Sequence, residues 1–456
     1  MTVQRIDIKR FNALAAHSRS PAAAYVSREL DWFANDNETL LATLMLDTVD
    51  DDYVGIILGR DDAGRFRCID VESCIPTREE AATWIERAIN WHGRDGQRTF
   101  SQGKESRETK PFDLFTHVVP VEKLHPSFAK LCQNRAFAPA RRQIAEIMPH
   151  YVDVDGNFVE QFQTTGFDAR LWELYLHSYL VEEQLFMQRE HDRPDFMVTK
   201  YGQSVAIEAT IVGRRADKPV SYFKTEMNLP DDHEEVLRRQ EHEIPIRFGS
   251  PLFSKLQKRY WELDHVKGLP LVFAIADFHD DQSMMWTATA LINYVYGVRH
   301  KFHFDEHGQL VITPLKIELH KVGEKRIPSG FFFQPNAEHV SAVLFSASGT
   351  ISKFNRLGRQ AGFKAPGVVM VRMGTHHDHD PNAHLPKPFK YVVDETAQET
   401  WAEGLSMFHN PNALHPVPAE LFPTIAHHRF RDGQIASILP EFHPYASFTM
   451  NMIGRE

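Results

Sequence analysis

The chain has 456 residues, 42% of them hydrophobic and 25% charged, with a formal net charge of −10. At about 100–200 residues per domain this predicts two to four ordinary globular domains. No apolar run reaches the roughly 18 residues of a membrane span. Three cysteines (Cys68, Cys74 and Cys132) without a C-x-x-C exclude a disulfide framework or a cysteine-rich zinc site, and the acidic balance excludes a surface coated throughout for nucleic acid.

The opening MTVQRIDIKRFNALAAHS lacks a secretory pattern, so the expected location is the cytoplasm, with no membrane partner. The first 40 residues show no clear period. LLATLMLDT and YVGIILGR then read as strands, and Asp61-Asp62-Ala63-Gly64 turns into a third, RFRCIDVE. Thr77 and Glu80 make a capping box ahead of the helical AATWIERAINW. The sum is a β-β-β-α module, read as structural. Polar residues from Gly93 to Lys110 read as a loop, Phe128–Ile147 as helical, and YVDVDGNFVEQFQ as a hairpin turning at Asp155-Gly156.

The next three pieces carry chemistry. FDARLWELYLHSYLVEEQLF is apolar over most of a helical surface, which predicts a buried helix with Glu173 inside it. A buried carboxylate is costly unless paired, hydrogen-bonded or metal-bound, and an ion pair with Arg170 would also satisfy it. In Pro194-Asp195-Phe196-Met197-Val198-Thr199, strand alternation puts Asp195, Met197 and Thr199 on one face. Tyr201-Gly202-Gln203 turns the chain. In the strand that follows, Val205, Ile207, Ala209 and Ile211 share the apolar face, and Glu208 and Thr210 the other. The hairpin can therefore bring Asp195 and Glu208 together, and a divalent cation is the common remedy for such repulsion.

Glu173, then Pro194-Asp195, then Glu208-Ala209-Thr210, with 12 residues between the last two acids, resemble the PD-(D/E)XK nuclease family over about Phe167 to Val298. The later elements follow the family's order: a helix opening at Ser250-Pro251, the strand PLVFAIADF, and the helix SMMWTATALINYVYG. The resemblance implies a restriction-endonuclease-like α/β core, a mixed central sheet flanked by helices. It also implies Mg²⁺ or Mn²⁺ held by Asp195, Glu208 and the Ala209 carbonyl, with Glu173 as a further ligand. Thr210 stands where the family has a lysine. A basic group from the following helix would replace it, Lys258 first and Lys255 second; Lys224 lies in the preceding insert, and Lys200 faces the other side of its strand.

Past Phe302 come further strand-like runs, QLVITPLKIELHK, HVSAVLFSAS and GVVMVRMG. Lys353, Arg356 and Arg359, interleaved with Phe354 and Phe363, could track a phosphate backbone or form a solvated helix face. His376, His377, Asp378, His379, Asp380 and His384 read as a polar loop, because adjacent residues seldom converge on one ion. No G-x-S-x-G elbow or Walker loop occurs.

The expected organisation is an N-terminal α/β module with linker (1–110), a helical connector and hairpin (111–166), the nuclease-like core (167–300) and a C-terminal α+β region (301–456). The expected function is a divalent-metal-dependent nuclease acting on nucleic acid, DNA in preference to RNA, in restriction, defence or repair. The alternatives are an inactive nuclease-like core that binds nucleic acid or regulates a partner, and a scaffold whose carboxylates are coincidental. A homo-oligomer or a partner protein stays open.

Overall fold

Apolar strands near the N-terminus build a sheet with helices packed on both faces. The computed structural model describes residues 2–103, 113–154, 156–188, 190–214, 233–280 and 282–454. Strand β1 (Val3–Arg5) leads to helix α1 (Ile8–Ala15), then β2 (Ser27–Asn35), β3 (Leu40–Asp47), β4 (Tyr53–Arg60), β5 (Phe66–Ile75) and helix α2 (Arg78–Gly93). The five strands pair in sequential antiparallel order. The three expected strands are β3, β4 and β5; β1 and β2 are additional. Phe33 of β2 packs under α2, while Trp32 and Ala34 pack towards α1. With both faces apolar, β2 has no alternation to read. Thr77 caps α2 as expected, its hydroxyl accepting the Glu80 N–H at 3.2 Å. Ala81, Ile85, Ala88 and Ile89 form the stripe that α2 buries. The polar loop expected over Gly93–Lys110 lies partly outside the described residues.

Helices α3 (Pro126–Gln133), α4 (Ala138–Ile147), α5 (Phe158–Gln163) and α6 (Phe167–Glu182) follow. Of the hairpin expected over Tyr151–Gln163, Asp155 at its turn lies outside the described residues, and the second half is helix α5 instead of a strand. The Asp153 carboxylate accepts the N–H groups of Gly156 and Phe158, each at 3.0 Å, and so starts a helix. Phe158 and Phe162, one turn apart, are then buried together. Helix α6 is buried on nearly every side, as its composition predicts.

The rest of the chain contributes β6 (Phe186–Gln188), β7 (Phe196–Lys200), β8 (Gln203–Val212), α7 (His233–Arg238), α8 (Ile244–Leu256), β9 (Leu271–Asp277) and α9 (Ala288–Tyr296). Two hairpins come next, β10 (Val298–Phe304) with β11 (Leu310–Lys316), and β12 (Leu319–Val322) with β13 (Lys325–Pro328). Then follow β14 (Ala342–Ser346), α10 (Ile351–Gln360), β15 (Val368–His376), β16 (Lys387–Val392), β17 (Leu405–His409), β18 (Ala426–Arg431), β19 (Gln434–Ile438) and β20 (Pro444–Ile453).

Eight strands form one mixed sheet in the order β19-β18-β17-β14-β9-β8-β7-β6. Strand β9 is parallel to both β8 and β14, and β7–β8 and β14–β17 are antiparallel. All seven residues of β9 are buried, because α6 covers one face of the sheet and α8 with α9 the other. The fold is thus mixed α/β, a central sheet flanked by helices with antiparallel sheets beside it. The boundary expected near 300 does not divide the chain, since β14, β17, β18 and β19 complete the sheet. Helix α8 starts six residues before the expected Ser250 and carries Pro251 inside it. Among the described residues no helix is long and apolar enough to cross a membrane.

Strands β16, β15 and β20 form a separate three-stranded sheet, in which Gly374 of β15 lies close against β20. A Cβ there would lie 2.1 Å from the Ala446 carbonyl oxygen and 2.7 Å from the Ser447 Cα, both backbone. Gly374→Ala should therefore cost about 1–3 kcal/mol, read as a lower urea midpoint with unchanged slope.

Histidines gather beside this sheet. His409, His428 and His443 are buried, and His409 Nε2 lies 2.8 Å from His427 Nδ1. Burial first, then neighbouring histidines, pushes His409 and His428 down to about 3 and His443 to about 4. An unfolded chain protonates these rings near pH 6.5, and the folded chain does not. Stability should be full above about pH 6.5 and fall as the pH drops towards 4, by several kcal/mol for the group. Urea titrations at pH 7 and pH 5 check this, and a His428→Asn variant should show a shallower pH slope.

Candidate functional site

A two-residue turn sets the site. Tyr201 and Gly202, with φ of 54° and 73°, join β7 to β8, the geometry of a tight hairpin whose twist matches its strands. The turn fixes the register from Lys200 opposite Gln203 to Phe196 opposite Ile207. One step further, Asp195 falls opposite Glu208 on the same face. The Asp195 Oδ2 accepts the N–H of Ala209 at 2.7 Å, which ties the carboxylate to the β8 backbone.

Glu208 is 4% exposed. Its Oε1 takes a hydrogen bond from the Tyr260 hydroxyl at 2.6 Å and an ion pair from Lys255 Nζ, in the last turn of α8. Its Oε2 is buried with no hydrogen-bond partner. Tyr260 reaches the site because Arg259, at φ 51°, takes the left-handed conformation and reverses the chain after α8. Glu173, also buried, accepts the Tyr151 hydroxyl at 2.9 Å and both its oxygens face Arg170 Nη1, at 3.1 and 2.8 Å. Arg170 is itself held by Gln161 and Asn157.

The charges of the other two acids act on Asp195. Burial, then the charge of Glu208, then that of Glu173 push its carboxyl up to about 7, against the Ala209 N–H and the Lys255 charge. Asp195, Glu173, Arg170 and Tyr151 line a small polar cleft, with Asp153, His191 and Asp192 at its sides. His191 stacks on His265 with ring centroids 3.7 Å apart.

The other expected residues are distributed as follows. Thr210 is half-buried, two residues beyond Glu208. Lys255 takes the place expected first of Lys258, which is exposed in the turn after α8. Of the two lysines it is Lys255 that meets Glu208, because α8 ends at Leu256 and leaves Lys258 beyond it. Lys200 points to the opposite face, where its Nζ donates to the Glu183 carbonyl at 2.7 Å. Lys224 lies outside the described residues.

The expected nucleic-acid contacts on α10 are overturned for two of the three. Lys353 and Arg356 are 0% and 2% exposed and paired with Glu399 at 2.8 and 2.7 Å. A buried, neutralised cation cannot meet a phosphate. Arg359 is half-buried, within electrostatic reach of Asp394. In the histidine tract, His377 contacts the Tyr445 hydroxyl at 2.8 Å, His379 the Glu441 carbonyl at 3.0 Å, and Asp378 pairs with Lys387 at 2.8 Å.

Tyr151 and Tyr260 were not foreseen in the sequence. Tyr151 could have been suspected from its place just before the Asp153 cap, whereas Tyr260 depends on a left-handed turn that no neighbouring glycine announces.

Among the described residues no group of three or more His, Cys, Asp or Glu side chains could hold a metal ion. A cage of the kind that encloses Ca²⁺ or structural Zn²⁺ therefore does not fit. Mg²⁺ is held by one or two carboxylates with the rest water, and Asp195 with the orphaned Glu208 Oε2 fits that lighter demand. Glu173, its oxygens held by Arg170 and Tyr151, fits a role through its charge rather than as a ligand. No protein-family model, no curated protein and no solved structure matches this chain, so its geometry alone bears on its chemistry.

Proposed function

We propose that the chain is a divalent-metal-dependent nuclease that hydrolyses phosphodiester bonds, in DNA in preference to RNA. The observation that carries this reading is the pairing of Asp195 with Glu208 across a hairpin, Glu208 buried and Asp195 half-buried, with one Glu208 oxygen unmatched and a lysine at the other. Buried like charges are destabilising without a cation. Asp195 and Glu208 would hold Mg²⁺ or Mn²⁺, which supplies charge neutralisation on the phosphate and a more acidic bound water.

The chain's own residues supply the rest. Lys255 takes the part of the lysine that Thr210 lacks: its Nζ sits against Glu208, where it can hold an attacking water and face developing negative charge. Tyr260 keeps Glu208 in place through Oε1. Arg170 holds the Glu173 carboxylate in an ion pair, and the charge of Glu173 adds to the repulsion on Asp195 that a cation would relieve.

The test is incubation of the full chain with plasmid and with single strands in Mg²⁺, Mn²⁺ or EDTA. Metal-dependent cutting is expected. Lys255→Ala should lower it by about 10²–10³-fold, the usual loss of one preorganised charge-stabilising group. Lys258→Ala should leave it within about twofold, as for an exposed side chain away from the site. Binding without cutting would favour a nuclease-like core that binds nucleic acid. Neither cutting nor a metal-induced thermal shift would sink the nuclease reading.

A further inference from the structure

An antiparallel sheet with one face on the core turns its apolar residues inward and its polar ones outward. The three-stranded sheet β16-β15-β20 has this order reversed. Its ladder sets Arg372 opposite Thr449 and Tyr391, Met370 opposite Asn451, and Gly374 opposite Ser447. These positions face inward, where Arg372 is fully buried and meets Glu399 and Glu403. Arg372 also reaches the Tyr391 hydroxyl at 3.0 Å and Ser447 Oγ at 3.2 Å. The polar side of the sheet thus serves the buried ion cluster.

Alternation then turns the apolar residues away from that cluster. Val369, Val371 and Met373 of β15 lie opposite Met452, Met450 and Phe448 of β20. On the other side, Val371 and Met373 lie opposite Val392 and Lys390 of β16. The short turn Ser283–Met285 lies against part of β20, yet Val369, Val392, Met450 and Met452 stay 47%, 52%, 42% and 46% exposed. An apolar cluster of this kind, open to water and spread over adjacent strands, marks an interaction surface.

We propose that this face binds a second copy of the chain, sheet against sheet, across a two-fold axis. Charge and size select that partner. Lys390 is the only charged residue at the outward positions of the three strands, so a chain of net charge −10 sets no acid against its own copy here. An uncharged apolar face is complementary to itself, and a two-fold contact between identical patches closes as a dimer. As for size, three strands ~4.8 Å apart and about nine residues long at ~3.3 Å per residue make a face of roughly 400 Å² laid flat. Two such faces, with the relief of their side chains, bury on the order of 1,000 Å², the threshold of a specific but reversible interface. The contact does not depend on the nuclease reading.

The experiment is sedimentation equilibrium of the full chain in EDTA from about 1 to 300 µM, the weak range that so small an interface supports. The average mass should rise from that of one 52.5 kDa chain towards that of two. Met450→Glu should weaken association at least about tenfold, because it places a charge at the centre of the dry contact. Val392→Glu should act alike, and serves if the first variant does not fold. Val71→Glu, at a comparably exposed valine of the N-terminal sheet, should leave association unchanged. The mass of a single chain at every concentration would overturn the proposal and leave the face to a different protein. Association that both folded variants leave intact, or that Val71→Glu weakens equally, would overturn it as well.

Discussion

Asp195→Ala is expected to lower metal-dependent cutting by about 10³-fold or more, because a metal-holding carboxylate is worth several kcal/mol at 1.36 kcal/mol per decade. A second result should accompany it and separates a strained site from a chance cluster of acids. In EDTA, the Asp195 carboxyl is raised from 3.8 to about 7 by burial and by Glu208 and Glu173. The folded chain therefore holds a proton there between about pH 4 and 7 that the unfolded chain has released. Stability falls as the pH rises through that window, and above it the ionised Asp195 is a net cost. Asp195→Asn removes the cost, so its thermal midpoint should exceed that of the wild type at pH 8 and match it at pH 4. Mg²⁺ should raise the wild-type midpoint at pH 8 and leave Asp195→Asn nearly unmoved. Equal midpoints of the two proteins at pH 8, with and without Mg²⁺, would remove the physical basis of the metal site.

The largest loss of stability is expected at Glu399. Its carboxylate meets Lys353 at 2.8 Å, Arg356 at 2.7 Å and Arg372 at 3.5 Å, all of them buried. Burial would raise this acid, yet the three cations outweigh it and hold it well below the ordinary range. Glu403, also paired with Arg372, completes the cluster. Glu399→Ala should cost about 3–5 kcal/mol, because it leaves desolvated cations without their counter-charge. Urea unfolding at pH 7 measures it. Arg359→Ala, on the same helix but half-buried, should change stability by only about 0.5 kcal/mol. A loss below about 1 kcal/mol at Glu399 would mean that water reaches the cluster.

What the sequence revealed and what it hid have separate physical causes. The β7–β8 hairpin was legible because alternation and a two-residue turn are local, and together they place Asp195 against Glu208. The buried α6 was legible from its all-round apolar surface. Strand β2 was hidden because α1 and α2 cover its two faces and erase the alternation. The choice between Lys255 and Lys258 turned on where α8 ends, at Leu256, and the periodic pattern PLFSKLQKRYWEL does not mark that end. Lys353 and Arg356 read as a basic surface because their partner, Glu399, lies 43 residues from Arg356 and on no shared element. Patterning along one helix reports its periodicity but not what packs against it.

The order of strands in the central sheet also bears on how the chain can be cut and made. β9 pairs with β8 on one side, and its other neighbour, β14, begins 65 residues after β9 ends. A fragment stopped near residue 300 would keep the carboxylates but leave β9, buried along its whole length, as a bare edge ready to recruit another chain. The same edge stands open on the ribosome until β14 has emerged. The carboxylate site is therefore best produced from the full chain, and aggregation of the shorter piece is the expected signature of a missing neighbour rather than of a defective site.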